Sequence, residues 1–531
     1  MKKCSKPITV NPQTITMKKI VRLVSVVICM AGATLLTSCD DWFNLPPESE
    51  MVKEDFWKKK SDVLSAVGAC YRAMDEDGFV RRLIAWGEMR SDNVLPGKSN
   101  DTNVGYILSA NITAKNEYCK WGSVYQVINY ANTVIKYAPQ VLEQDPDFSE
   151  RELNQYLAEA KTIRAFCYFT LVRTFRDVPY ITDPYDEARS FQVAQTPADE
   201  VLSNIMADLK SIVNDAPANY TNKVYNHGRI TRKAVLALMA DVSLWMNNYQ
   251  DCADYCGEIL SSSGTTQLER SSSYYNNVFF EGNSNENIWE LQFDNNTLNY
   301  ATRDLYGSST SDCKLSSYDY SYEGSSALFA NKGDLRLRNA FVNGDGFFLI
   351  KKYIAKLANP NVTTIRNSDF TYGASTDNWI VYRLADVLLM RAEALAELGG
   401  QQNLDEAVAL VSRTYDRANP DLESGSLIGQ YSSQEQVRNL VFDERQREFL
   451  FEGKRYFDLM RRMRRDGTPT QVINTYLINK YVAQNIDRST VMGKINDVNA
   501  IYMPIHEDEL KANLLLVQNK FYKTSSDISK N

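Results

Sequence analysis

The chain has 531 residues and a formal net charge of −7, and 44% of its residues are hydrophobic and 24% charged. These values are ordinary for a globular protein, and the mildly acidic balance argues against nucleic acid as the main partner. Histidine occurs only twice, as His227 and His506. Because these residues lie far apart in the sequence, we expect neither a histidine-based metal site nor a catalytic triad that depends on histidine.

Residues 1–38 are predicted to be a signal peptide, whose three-part layout is found in residues 17–39. A basic start is followed by an apolar stretch and by small residues just before Cys39. The stretch is short and interrupted, whereas a spanning helix needs about 20 mostly apolar residues. Residues 36–39, Leu-Thr-Ser-Cys, resemble the lipobox of bacterial lipoproteins, in which the cysteine is acylated and becomes the new N-terminus. Residues 1–16 do not fit a signal peptide, so we expect the true start at Met17.

Residues 39–55 are predicted to be a lipidated tether. The segment behind Cys39, DDWFNLPPESEM, is acidic and contains two prolines, a composition suited to holding a globular body away from a bilayer. The anchor is expected to be lipid rather than a transmembrane helix, because no later segment is long and apolar enough to span. The alternative is an ordinary cleaved signal peptide in which Cys39 is incidental.

The first helices predicted beyond the tether lie between residues 152 and 213. In residues 152–175, apolar residues recur at steps of three and four, which defines one face of a helix. Pro179 follows and cannot continue that helix. The next helix is predicted to start with Thr196 as its cap and Pro197 at its first helical position.

Two later segments, residues 229–260 and 382–420, are predicted to be helical hairpins. The first places small and aromatic residues at the spacing of a tetratricopeptide-like repeat: Ala240, Tyr249, Cys252 and Cys256. Small residues at these positions let two helices approach closely, so we interpret the cysteine pair as packing residues rather than metal ligands. The second hairpin follows the same plan, and together they favour a helical-repeat scaffold.

A loop-rich insert, about residues 261–345, is predicted between the hairpins. It is rich in Ser, Asn, Gly and Tyr, and only NIWELQF, residues 287–293, alternates like a strand. Its high content of aromatic residues argues against disorder, because disordered segments are poor in them. A long ordered insert of this kind indicates a functional surface.

The motifs that resemble catalytic sites are all incomplete. DNVLPGKS, from Asp92 to Ser99, ends like a phosphate-binding loop but carries aspartate where glycine is required. HEDEL at His506 lacks the second histidine of a zinc protease, and no G-x-S-x-G elbow occurs. We therefore predict a protein that is not an enzyme and that has no metal site and no cofactor.

The most highly charged helix is predicted over residues 436–465. Glu444, Glu448 and Arg455 fall on its apolar face, where buried charges must be paired. These charges indicate either a ligand site or a structural ion network between packed helices, and the ion network is the favoured interpretation.

Four segments together resemble the SusD/RagB family of nutrient-binding outer-membrane lipoproteins. The sequence ERQREFLFEGKRYFDLMRR resembles the C-terminal signature of that family, and His506 and Leu514 replace two prolines of its terminal segment. The four segments are residues 164–180, 382–399, 444–462 and 501–519.

The resemblance implies one mostly α-helical domain over residues 56–531. Its scaffold would have about four tetratricopeptide-like helix pairs, with long irregular loops and little β-structure. Family members sit on the outer face of the outer membrane and cap a TonB-dependent transporter of the SusC type. They deliver oligosaccharide, or sometimes peptide, to it and are not enzymes.

Two loop regions supply the predicted ligand-binding residues. Tyrosine rings stack on the apolar faces of sugars, and polar side chains bind the hydroxyl groups. The insert supplies Asn299, Tyr300, Arg303, Tyr306, Tyr318, Tyr320 and Tyr322, and the loop GEMRSDNVLPGKSNDTNVGY supplies Arg90, Asp92, Asn100, Asp101 and Tyr106. The alternative function is a lipid-anchored scaffold in envelope assembly, which would not need an aromatic insert.

The lipobox predicts the behaviour of a Cys39→Ala variant. Without the thiol there is no acylation site, so the variant should lose lipid labelling and leave the membrane fraction. The measurement is metabolic labelling with a fatty acid, followed by fractionation and a carbonate wash. A variant that still remains with the membranes after the wash would contradict the lipoprotein interpretation.

Overall fold

The computed structural model describes residues 56–185, 192–262, 266–320, 328–344, 347–359, 362 and 364–523. This part of the chain is mostly helical, as predicted, whereas Cys39, the tether and Tyr322 lie outside the described residues. The helices are α1 (Lys60–Met74), α2 (Asp77–Ile84), α3 (Thr102–Leu108), α4 (Gly122–Val141), α5 (Glu150–Phe175), α6 (Ala198–Ile212), α7 (Lys223–Gly228), α8 (Arg232–Trp245), α9 (Tyr249–Ser261), α10 (Tyr300–Tyr306), α11 (Leu335–Ala340), α12 (Leu384–Leu398), α13 (Gln401–Ala418), α14 (Gln434–Glu448), α15 (Arg455–Arg465), α16 (Thr470–Val472), α17 (Ile478–Val482), α18 (Arg488–Ile495) and α19 (Glu507–Ala512).

The long helices pack in sequence order, which is the arrangement of a helical-repeat scaffold. Helix α1 packs on α4, α4 on α5 and α5 on α6, and the row continues through α8, α9, α12, α13 and α14. Both predicted hairpins are confirmed as α8–α9 and α12–α13, and Cys252 and Cys256 are buried. None of the helices within the described ranges combines the length and the apolar character needed to cross a bilayer.

The first two predicted helices are present, with one correction. Helix α5 begins with a capping box, in which the Ser149 side chain accepts from the backbone N–H of Glu152 and Glu152 binds back. Helix α6 starts one residue later than predicted, with Pro197 in the cap position instead of Thr196. The reason is that Asp177 accepts from the N–H of Ala198 at 3.0 Å, so the capping oxygen comes from the preceding turn.

The β-structure is limited to short antiparallel strands. Strands β1 (Val94–Pro96), β3 (Leu315–Ser317), β5 (Phe347–Ile350) and β4 (Phe341–Gly344) form one sheet in that order. Two-stranded sheets pair β2 (Asn287–Leu291) with β8 (Trp379–Arg383) and β6 (Ala355–Leu357) with β7 (Phe370–Tyr372). The prediction of an alternating strand at β2 is wrong in one respect: all five of its residues are buried.

The charged segment 436–465 forms two helices and not one, which corrects the prediction. Helix α14 ends at Glu448 and α15 begins at Arg455, and the loop 449–454 has positive φ at Phe451 (64°) and Gly453 (69°). The loop packs closely on the turn after α2, because a Cβ atom at Gly87 would lie 1.7 Å from the carbonyl oxygen of Gly453. That close approach cannot be read from helical periodicity.

An ion network centred on Glu448 lies in the interior. Arg336 and Arg383 donate to its carboxylate at 3.1 and 2.6 Å, and Arg417 donates to it as well. All four side chains are buried. The favoured interpretation of the charged helix, a structural ion network, is therefore confirmed for Glu448.

The same network joins parts of the chain that are remote in sequence. Arg383, at the end of β8, also binds Glu286 at 2.8 Å and Glu452 at 3.0 and 2.7 Å. Arg455 was expected beside the glutamates, but it pairs with Asp92 at 2.8 and 2.9 Å. Arg455 lies beyond the loop 449–454 that separates the two helices, and this loop turns its side chain toward the segment that contains Asp92.

The arginines determine the ionisation of the buried acids. Burial alone would raise the pKa of Glu452, but Arg383 and Lys352 outweigh it and lower the pKa to about 2. Burial would likewise raise the pKa of Asp458, and Arg445 and Arg461 lower it to about 2. These carboxylates are therefore ionised at neutral pH, although they are surrounded by protein.

Removing one arginine should destabilise the fold. Arg383→Ala leaves buried glutamates without their main partner, so we expect a loss of roughly 3–5 kcal/mol in the free energy of unfolding. Urea unfolding followed by circular dichroism measures it. The control is Lys356→Ala, which breaks an exposed ion pair with Glu281 and should cost about 1 kcal/mol or less. Equal losses in the two variants would show that the network does not hold the fold.

The lowered pKa values predict how the protein unfolds in acid. Carboxylates such as Glu452 return to a pKa of about 4 in the unfolded chain, so their stabilising contribution is complete above that pH and is lost as the pH falls toward 2. We expect the free energy of unfolding to decrease steeply between about pH 4.5 and 2. Glu452→Gln removes one titrating group and should make that dependence shallower. If the pH dependence of the free energy of unfolding is the same in Glu452→Gln as in the parent, the lowered pKa of Glu452 is contradicted.

Candidate functional site

A cleft of about 660 Å³ opens between three segments of the chain that are far apart in sequence. Helix α2 forms one wall, the region from Asp101 to Tyr118 forms the second, and α10 with the chain up to Lys314 forms the third. No residue of the packed row of long helices lines it. The residues that line it are Arg81, Arg82, Asp101, Asn103, Glu117, Tyr118, Tyr300, Arg303, Asp304, Asp312 and Lys314.

Helix α2 places two consecutive arginines in the cleft. Arg81 donates to Asp77, one turn earlier, at 2.9–3.0 Å and also pairs with Asp304 of α10. The guanidinium of Arg82 instead donates to three backbone carbonyl groups, those of Gly78, Glu117 and Lys120. Both arginines are thus fixed in direction by neighbouring groups.

Lys314 connects the second wall to the third. Its ammonium lies 3.1 Å from Asp101 and 2.8 Å from Asp304. Asp101 is itself fixed, because its side chain caps α3 by accepting from the N–H of Val104 at 3.0 Å. These ion pairs join the three walls into one continuous polar surface.

Helix α10 presents an aromatic ring at this surface. The helix starts at Asn299, whose side chain accepts from the N–H of Thr302 at 3.3 Å. Tyr300 is therefore the first helical residue, and it is 57% exposed. Arg303, nearly one turn later, lies over the ring of Tyr372 with its central carbon 5.2 Å from the ring centroid.

The loop 449–454 supports two of the walls from behind. The hydroxyl of Tyr306, at the end of α10, donates to the carbonyl of Phe451 at 2.7 Å. The N–H of Gly453 donates to Glu88, in the turn that follows α2, at 2.9 Å. One short loop therefore contacts both walls.

The arrangement suits a ligand that has both apolar faces and polar edges. The ring of Tyr300 can stack on an apolar face, and the fixed arginine, lysine and aspartate side chains can bind hydroxyl groups around it. Among the residues that the structure describes, no group of three or more His, Cys, Asp or Glu side chains is arranged to hold a metal ion.

Some of the sequence-predicted ligand residues lie at the cleft. Asp101, Tyr300 and Arg303 line it. Asn100 is half-buried next to Asp101, and Tyr106 is 46% exposed on α3, but neither side chain lines the cleft. These two remain predictions for a wider ligand surface.

Five of the predicted ligand residues are buried with internal partners, and we withdraw them as ligand contacts. Arg90 donates to two backbone carbonyl groups, Asp92 pairs with Arg455, and Tyr306 donates to Phe451. Asn299 is a helix cap, and the hydroxyl of Tyr320 donates to the carbonyl of Asp92 at 3.2 Å. Tyr318 is half-buried, with its ring centroid 5.9 Å from that of Tyr320. Their residue types suit sugars, but the five buried side chains bind partners inside the protein.

Most of the basic and acidic residues of the cleft were missed. Their signal in the sequence is weak, since only Asp77 and Arg81, four residues apart on α2, form a recognisable helical pair. The others come together only through the fold. The missed lining residues are Arg81, Arg82, Asn103, Glu117, Tyr118, Asp304, Asp312 and Lys314.

Two family models match the chain. The model described as the SusD family matches residues 203–522, and a second, described as starch-binding and associating with the outer membrane, matches residues 41–244. The matches overlap and together extend over nearly all of the described residues.

The chain is also similar to curated proteins. A SusD-like protein of Formosa agariphila is 25% identical over 510 residues, which cover 84% of this chain and 92% of that protein. A second SusD-like protein of the same organism is 26% identical over 477 residues, which cover 80% of this chain and 87% of that protein.

Solved structures share the fold. A SusD homologue from Bacteroides thetaiotaomicron has a TM-score of 0.68 at 23% identity and covers 88% of this chain and 100% of its own. A structure described as a laminarin-binding SusD-like protein has a TM-score of 0.65 at 20% identity and covers 87% of this chain and 100% of its own. NanU of B. fragilis has a TM-score of 0.67 at 20% identity, with 90% of this chain and 100% of its own covered.

Proposed function

Because this chain belongs to the SusD family, we propose that it captures an extracellular oligosaccharide in the cleft between α2, α3 and α10. It then delivers the sugar to a TonB-dependent transporter of the SusC type. The lipid on Cys39 holds it at the outer surface of the outer membrane. The protein binds and releases its ligand without chemical change.

The observation that carries this proposal is the exposed ring of Tyr300 within a polar cleft. Tyr300 is 57% exposed and lines the cleft, so its ring offers an apolar face on which a sugar ring can stack. Around it, ion pairs fix the side chains of Asp101, Asp304 and Lys314. The donors and acceptors that these side chains do not use in the ion pairs therefore point in fixed directions. Ordered donors and acceptors around an aromatic platform match a sugar ring.

The similar proteins support a sugar rather than a peptide. One of the two matching families is described as starch-binding, and one solved structure is described as laminarin-binding. Two alternatives are a peptide ligand and a purely structural role in the envelope. The following experiment distinguishes both of them from sugar binding.

Two tyrosines of the same helix should respond differently to substitution. Tyr300→Ala removes the exposed ring and should leave the melting temperature unchanged while weakening oligosaccharide binding by about 0.5–1.5 kcal/mol, the scale of aromatic pairs. Tyr306→Ala removes a buried ring and should lower stability by about 3–5 kcal/mol. Calorimetry against a panel of oligosaccharides and peptides measures the affinity, with melting followed alongside.

The matched control is Tyr185→Ala, because Tyr185 is 44% exposed and does not line the cleft. Its binding should equal that of the parent. Tyr106→Ala tests whether the ligand surface continues along α3. If Tyr300→Ala binds every oligosaccharide as the parent does, the cleft is not the site. Binding of peptides alone would replace the sugar with a peptide ligand.

A further inference from the structure

The four cations of the cleft differ in their partners. Arg81 and Lys314 are each paired with two carboxylates. Arg82 donates only to carbonyl oxygens, at 2.7, 3.2 and 2.5 Å, and no described carboxylate lies within ion-pair distance of it. Arg303 makes no side-chain hydrogen bond and no ion pair with any described residue, and its Nη1 atom is a buried donor without a partner.

The four carboxylates of the cleft are all engaged. Asp101 and Asp304 are paired with cations, and Glu117 lies 2.9 Å from Lys120. Asp312 accepts from the backbone N–H and hydroxyl groups of two serines, Ser308 and Ser309. Among the described lining residues, two guanidinium groups therefore have no carboxylate partner, whereas each of the four carboxylates has a donor.

A buried lysine contacts the same tyrosine ring as Arg303. Lys351 is buried, donates to the hydroxyl of Tyr372 and lies 4.6 Å from the centroid of the same ring that Arg303 covers. Within the described ranges, no carboxylate lies at ion-pair distance from it. Burial lowers the pKa of Lys351 to about 7, so the full positive charge beside this ring at neutral pH is that of Arg303, and its field favours an anion there.

We infer that the cleft takes an acidic oligosaccharide, one that carries carboxylate or sulfate groups, and that Arg303 binds the anionic group with Arg82 as a second donor. A guanidinium with free N–H groups forms paired, charge-assisted hydrogen bonds to such groups. The inference rests on the proposed function, since it names the class of sugar that the same cleft binds.

The experiment compares matched probes on the full-length protein. The acidic probes are oligogalacturonate and oligomers of sulfated carrageenan, and the neutral probes are the same oligogalacturonate with its carboxyl groups reduced to alcohols and desulfated carrageenan oligomers. Hexaglutamate is the acidic peptide. We expect at least one acidic sugar to bind about tenfold or more tightly than its neutral counterpart, the scale of a charged hydrogen bond, and the advantage to shrink at high salt.

Variants assign the preference to Arg303. Arg303→Gln should abolish the advantage of the acidic probe, because it should weaken acidic-probe binding by about tenfold more than neutral-probe binding, and Arg303→Lys should restore part of that advantage. The control is Lys356→Gln, which removes an exposed cation that lies 4.5 Å from the ring centroid of Phe280 outside the cleft. It should leave the preference unchanged. Melting of each variant shows that the fold is intact.

The outcomes separate the inference from the function on which it rests. The inference is overturned if a neutral sugar binds as tightly as its acidic counterpart, or if Arg303→Gln keeps the preference; a loss of binding in Tyr300→Ala would then still support sugar capture. If hexaglutamate binds and no sugar of either kind does, both the inference and the proposed function fail. Carboxylate and sulfate probes report which anionic group the arginines prefer.

Discussion

The buried pairing of Glu448 with three arginines restrains much of the rest of the fold. Charges surrounded by protein are tolerated only when their partners are in place, so each arginine requires its own segment to dock. Arg336 brings α11, Arg383 brings β8, and Arg417 brings α13. The carboxylate thus connects the helical row to the irregular insert, and a misplaced segment would leave a buried charge without compensation.

That restraint reaches the cleft through the loop between α14 and α15. Glu452 belongs to the ion network, and its neighbours Phe451 and Gly453 hold α10 and the turn after α2. The walls that carry Tyr300 and the arginines are therefore connected to the buried ion network. A binding surface built on loops gains its precision from this connection, because each loop would otherwise be free to shift by itself.

The sequence predicted the helices well and the cleft poorly, and the reasons are physical. Helical periodicity reports which residues face a neighbour, so α5 and both hairpins could be located from apolar spacing alone. Composition does not show in which direction a side chain points. Tyr300 and Tyr306 belong to the same tyrosine-rich stretch, but they are six residues apart on a helix, so their side chains point to different sides. Of the two, only Tyr300 is exposed to water. Arg81, Asp304 and Lys314 are remote in sequence, so their ion pairs exist only after folding.

The walls of the cleft come from segments outside the row of long helices, and this division has an evolutionary consequence. Mutations in the wall segments can change which ligand is bound while the packed helices keep their stability. The protein encoded by a duplicated gene can therefore acquire a new ligand specificity without first losing its fold. Substitutions within the helices, in turn, are constrained by side-chain packing rather than by the identity of the ligand. Selection can therefore act on ligand specificity and on fold stability almost separately in one polypeptide.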